Sequence, residues 1–153
     1  MPTKPANLDQ GVPPLAPFIL LALALIGLGD AFYLSYFQYM NLIPTCAIGG
    51  CEQVLTSEYS KFFGVPWSYI GLVYYGYMLC LSVLLIVDPN SRGLRLGALA
   101  YTGFGVVYSA WAIFYIQLTL IQALCQFCAI SAAVTLLMFI TAVWHWRTSG
   151  VQS

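Results

Sequence analysis

Charge is what this sequence has least of. Only 7% of its 153 residues are charged, and five basic residues balance five acidic ones. A soluble domain carries about 25%. So few charges cannot solvate the surface of a globule this size, which excludes an ordinary soluble domain. A hydrophobic share of 61% excludes a disordered chain. The zero net charge excludes a basic face able to track a nucleic-acid backbone, so no nucleic-acid partner is expected. No repeat or low-complexity segment stands out. What is present is long apolar sequence, with a mean hydropathy of +0.84. A membrane-spanning helix needs about 20 apolar residues, and this length holds four.

The reading is an all-α integral membrane protein, a four-transmembrane-helix bundle. Residues 1–14 form a cytoplasmic tail. The first span runs over 15–39, with Asp30 its only charge. It is too long for a signal-peptide core and lacks a small-residue cleavage site. Residues 40–64 contain Pro44, Gly49, Gly50, two cysteines, Glu52, Glu58 and Lys61. They read as an exoplasmic loop, with a short amphipathic helix from Glu52 to about Ser60. The second span covers 65–87. Asp88-Pro89-Asn90-Ser91-Arg92-Gly93 is a turn signal. The uncharged stretch from Leu96 to Trp146 is too long for one span, so it is divided at its polar cluster of Gln117, Thr119, Gln122 and Gln126. The third and fourth spans are then about 96–118 and 124–146, and 147–153 is a second cytoplasmic tail.

Lys4, Arg92, Arg95 and Arg147 fall on one side of such a bundle and Lys61 on the other. The positive-inside rule makes both termini cytoplasmic and the 40–64 loop exoplasmic. Trp144 and Trp146 beside Arg147 read as an interfacial anchor, with His145 an interfacial neighbour outside the chemistry.

Four of the five cysteines fall on the exoplasmic side. Cys46 and Cys51 enclose a flexible Ala-Ile-Gly-Gly spacer. Cys125 and Cys128 form a C-x-x-C opening the fourth span. A helix N-terminus presents unpaired N–H groups and the positive end of the dipole, which favour the nucleophilic thiolate. Cys80 stands alone in the second span and reads as a small packing residue. Two bland readings compete for the four others: small packing residues, or an all-thiolate zinc site. Two pairs in one oxidising compartment favour redox exchange, with electrons entering at one pair and leaving at the other. No metal is expected.

Four spans, C-x4-C in the first outer loop and C-x-x-C opening the fourth span resemble the vitamin K epoxide reductase family. The segment E-Q-V-L-T-S-E-Y-S-K-F-F-G after Cys51 is similar to the family's, including Ser57 and the Phe63-Gly64 pair. Val65-Pro66-Trp67-Ser68-Tyr69-Ile70-Gly71 resembles the bacterial members, and Leu28–Tyr36 loosely resembles the family's first span. Many bacterial members carry a fused thioredoxin-like domain. This chain ends after span four, so a separate secreted thioredoxin-like thiol protein is the expected partner. Animal members contact the quinone through an asparagine and a tyrosine. Those positions hold Ser60 and Ala132 here, which favours quinone over epoxide chemistry.

The resemblance implies a membrane thiol:quinone oxidoreductase that supports disulfide formation in a prokaryotic plasma membrane. Its acceptor would be of the ubiquinone, menaquinone or phylloquinone type. Cys46 would take the mixed disulfide with the partner. Cys51 would resolve it and then attack Cys125, and Cys128 would face the quinone. Ser57 would donate a hydrogen bond to a quinone carbonyl, with Leu55, Tyr59, Phe63 and Tyr74 lining the ring. Asp30 is either a proton source for the reduced quinone or a structural residue, neutral or hydrogen-bonded to a Tyr or Ser of a neighbouring helix. The alternatives are a vitamin K epoxide or quinone reductase driven by a thioredoxin-like donor, and a non-enzymatic membrane scaffold.

Overall fold

The computed structural model describes residues 15–47, 50–89 and 91–150, the last three of these by backbone alone. The expected tail at 1–14 and residues 151–153 lie outside the described residues. Four helices are long and apolar enough to cross a membrane: Leu15–Tyr39, Trp67–Val87, Arg92–Ile121 and Gln126–Arg147. The protein is therefore an all-α integral membrane bundle.

Helix α1 is Leu15–Tyr39. In the loop that follows, α2 (Cys51–Thr56) is succeeded by a 3-10 turn, Glu58–Ser60. A two-stranded hairpin comes next, β1 (Lys61–Phe62) paired antiparallel with β2 (Val65–Pro66). Its turn residues Phe63 and Gly64 both have positive φ, 51° and 82°. That geometry matches the right-handed strand twist and suits glycine at the second position, which gives the Phe63-Gly64 pair its physical meaning. Helix α3 starts at Trp67 and ends at Val87. The second span thus opens two residues later than expected, because Val65 and Pro66 are spent on the hairpin.

Helix α4 is Arg92–Ala110. It begins earlier than expected because Ser91 caps it, accepting the Leu94 N–H through its hydroxyl. It continues as a π-helical segment, Trp111–Ile121, which ends where Gln122 turns left-handed (φ 59°). Helix α5 is Gln126–Gly150. The turn therefore comes later than the polar cluster suggested, and Gln117 lies within the third span.

Helix α1 packs on α3 and α5, and α5 also packs on α4. Lipid supplies no hydrophobic drive between helices, so close packing and satisfied polar groups hold them. Leu20, Ala24 and Ala31 of α1 meet Tyr75, Met78 and Leu85 of α3, with Val134 and Met138 of α5 beside them. Ser35, Ser82, Thr102, Thr135 and Thr141 donate to carbonyls one turn back in their own helices, so none seeks water. Tyr75 crosses the bundle; its hydroxyl donates to the Ser131 carbonyl at 3.0 Å and lies 2.6 Å from the Ser131 hydroxyl.

Two expectations at the other end are corrected. Cys80 is exposed on the outside of the bundle, not packed within it. His145 is buried, close to Arg95 and the Pro89 backbone, and the Arg95 guanidinium lies 5.7 Å from the Trp146 ring.

Gly27 and Gly29 provide a test of this packing. A β-carbon on Gly27 would strike the Tyr75 ring, whereas one on Gly29 would meet nothing within 4 Å. Overpacking is destabilising by about 1–3 kcal/mol, while alanine gains about 1 kcal/mol over glycine in a helix. Gly27→Ala is expected to lower the thermal unfolding midpoint in detergent, and Gly29→Ala to hold or raise it. Equal midpoints would contradict the α1–α3 packing.

Candidate active site

The loop and the start of α5 meet at one end of the bundle. Cys46 and Cys51 form a disulfide, with Cα atoms 5.9 Å apart. Cys125 and Cys128 are free. The Cys125 sulfur lies 3.5 Å from the Cys51 sulfur, and both residues are fully buried. All four predicted cysteines thus converge in one apolar cluster with Val54 and Ala123. Among the described residues, no group of three or more His, Cys, Asp or Glu could hold a metal ion.

Three local features bring the sulfurs together. Gly50 packs directly on the Leu124 backbone, where a β-carbon would collide. The residues that follow these two are Cys51 and Cys125. Gln126, inside the C-x-x-C, accepts the Ala47 N–H through Oε1 at 3.0 Å, and the same oxygen lies 3.8 Å from the Cys46 sulfur. Gln117 accepts the Cys125 N–H at 3.1 Å, and its backbone carbonyl accepts the N–H groups of Gln122 and Ala123. This one residue closes the π-helical segment and fixes the position of Cys125.

Cys125 occupies the N-cap of α5, where its carbonyl accepts the first helical bond, from Ala129. The neighbouring Cys128 thiol is the largest influence on the Cys125 sulfur, and the backbone N–H groups of Cys128 and Phe127 add to it. Together they outweigh burial and bring its pKa down from 9.0 to about 7. The Asp30 charge acts weakly the other way.

Beneath the cysteines lies a cavity of about 560 Å³. Cys128 lines it, along with Leu34, Ile70, Phe104, Trp111 and Ile113. The volume and apolar lining suit a small-molecule ring. Of the residues expected there, Leu55, Tyr59 and Tyr74 do line it. Ser57 and Phe63 do not. The Ser57 hydroxyl donates to the Val54 carbonyl at 2.8 Å, closing the end of α2. Phe63 sits at the hairpin tip, 91% exposed. Ser60 lines the cavity, but its hydroxyl donates to the Ser57 carbonyl; Ala132 is not part of the lining. The Asp30 side chain lines the cavity.

The sequence reading missed Gly50, Gln117 and Gln126. A polar residue eight positions before Cys125 is a usable signal, although in the sequence its polarity reads as part of a turn.

The arrangement defines a class: a membrane bundle that holds a loop disulfide against a helix-start thiol, above an apolar cavity. Vitamin K epoxide reductase family sequences match residues 18–143. The chain belongs to that family. It is also 31% identical over 130 residues to the thiol-disulfide oxidoreductase LTO1 of Arabidopsis thaliana. That match takes in 80% of this chain but 35% of the relative, so the chain spans about a third of that protein's length.

The thiolate of Cys125 is expected to form with a midpoint near pH 7, lost below and complete above it. Removing the Cys128 thiol in Cys128→Ala should move that midpoint up, toward 9.0. Thiolate ultraviolet absorbance, taken as the difference from Cys125→Ser, reads it directly. An unchanged midpoint in Cys128→Ala would rule out the Cys128 thiol as the cause.

Proposed function

We propose that the protein is a membrane thiol:quinone oxidoreductase, which oxidises a thioredoxin-like thiol partner and reduces a lipid-soluble quinone. The observation that carries this reading is the 3.5 Å contact between the Cys51 and Cys125 sulfurs. It joins a loop disulfide to a thiol whose C-x-x-C partner faces an apolar cavity. Thiol–disulfide exchange needs an approach of this kind between the attacking and attacked sulfurs.

In the proposed cycle, a partner thiolate attacks Cys46 and Cys51 leaves as thiolate. The partner's second thiol then displaces Cys46, and the partner departs with a disulfide. This corrects the expected role of Cys51, because Cys51 attacking the mixed disulfide would only return the electrons to the partner. Cys51 instead attacks Cys125 of the Cys125–Cys128 disulfide, and Cys128 leaves. Cys46 then attacks Cys51, reforming the loop disulfide and releasing Cys125. The lowered pKa of Cys125 makes it a good leaving group. The outcome is a loop disulfide above two inner thiols, the state the structure describes.

A bound quinone supplies a two-electron, two-proton acceptor. Cys125 and Cys128 give up those electrons and protons as their disulfide forms again. Leu55, Tyr59 and Tyr74 are proposed to pack on the ring, and the apolar walls exclude water. The proposed setting is a prokaryotic plasma membrane, with both termini cytoplasmic and the cysteines exoplasmic, as the positive-inside rule implies.

The test is quinone reduction by the purified protein, followed by ultraviolet absorbance. Cys128→Ala is expected to abolish it with any thiol donor. Cys46→Ala is expected to block a thioredoxin-like protein donor but to keep much of the rate with dithiothreitol. Turnover surviving in Cys128→Ala, or equal losses with both donors in Cys46→Ala, would contradict these roles.

A further inference from the structure

Six buried side-chain polar atoms lack a hydrogen-bond partner among the described residues, and four belong to residues lining the cavity beneath the cysteines. These are Trp67 Nε1, Tyr74 Oη, Tyr108 Oη and Gln117 Nε2. Each can donate a hydrogen bond. Buried donors in native structures are nearly always paired, and a membrane interior offers them no bulk water. A set of orphan donors around an apolar space indicates an occupant that accepts hydrogen bonds.

Two of the four, Gln117 and Tyr108, line the cavity together with Cys128. Gln117 is 1% exposed, and its oxygen is held by the Cys125 N–H. Its nitrogen is buried without a hydrogen-bond partner among the described residues. Tyr108, from α4, is within electrostatic reach of Cys128, and its ring is fixed between Trp67 and Trp111, with centroids 5.8 and 6.1 Å away. A carbonyl oxygen has two lone pairs and no proton, which matches two donors.

We propose that Tyr108 and Gln117 together bind one carbonyl oxygen of the quinone beside Cys128. The inference rests on the quinone reading above and gives it a polar anchor. It assigns to the third span a role that Ala132 cannot fill and that Ser60, bonded within its own turn, does not offer. Both donors stand where negative charge develops on the oxygen during reduction, so their bonds strengthen as electrons arrive.

The test uses duroquinone and fully oxidised protein, so that no turnover occurs. The ring of duroquinone is fully methylated and forms no thiol adduct, and its two carbonyls are equivalent in solution. Bound to the wild-type protein, it is expected to show two carbonyl stretches, one moved to lower wavenumber. Tyr108→Phe and Gln117→Met should each move that band partway back and weaken binding about three- to tenfold, the range for one neutral hydrogen bond. The double variant should give a single band. Gln117→Met also frees the Cys125 N–H, so Tyr108→Phe, which leaves that contact alone, tests the proposal even if the methionine variant misfolds. A split band and affinity unchanged in both variants would overturn the role of these donors and leave the quinone reading standing. No binding to the wild-type protein would overturn both.

Discussion

The chemistry of this molecule depends on the approach of two sulfurs 74 positions apart in the sequence. Cys51 opens a short loop helix and Cys125 caps the last span, yet their sulfurs lie 3.5 Å apart. The contact is built from backbone, not from bulk. Gly50 has no side chain to hold the loop away from Leu124. The glutamines fix the rest. Gln126 holds the loop at Ala47, and Gln117 holds the Cys125 amide. Neutral amides suit this task at a membrane boundary, since they bond both ways without the desolvation penalty of a charge.

The bundle below supplies what the cysteines need but cannot make themselves. Ser35, Ser82 and Thr102 satisfy their hydroxyls within their own helices, and Tyr75 ties α3 to α5 through Ser131. That leaves an apolar cavity lined by Cys128 and by four residues with unpaired polar atoms. The low pKa of Cys125 fits the same scheme, because a stabilised thiolate at the helix start both attacks and leaves readily. In the proposed cycle, donor chemistry at the surface and acceptor chemistry in the membrane are thus separated by one exchange step.

Much of this was legible in the sequence. Apolar runs of membrane-spanning length gave the four helices, since only such helices satisfy their backbone in lipid. Cysteine spacing marked the two pairs, and the position of the C-x-x-C marked a helix start. Boundaries moved where local chemistry overrode hydropathy, as at the Val65–Pro66 strand and the Ser91 cap. The orientation of single side chains was not legible. Ser57 looked like a free hydroxyl, but its own turn takes it up. Phe63 looked like a ring contact, but the left-handed turn turns it outward. Gln117 looked like a turn residue because polar groups are costly in lipid. Its partner, a backbone N–H eight residues ahead, exists only in the folded bundle.

The most direct test of the central claim is to count quinols in a single turnover. Fully reduced protein in lipid nanodiscs is mixed with excess quinone and no external thiol. Two connected cysteine pairs hold two electron pairs, so the account predicts two quinols per wild-type chain and one per chain of Cys51→Ala. One quinol from both proteins would show that the loop pair does not pass electrons through Cys51 to the inner pair, and the account would fail at its central step.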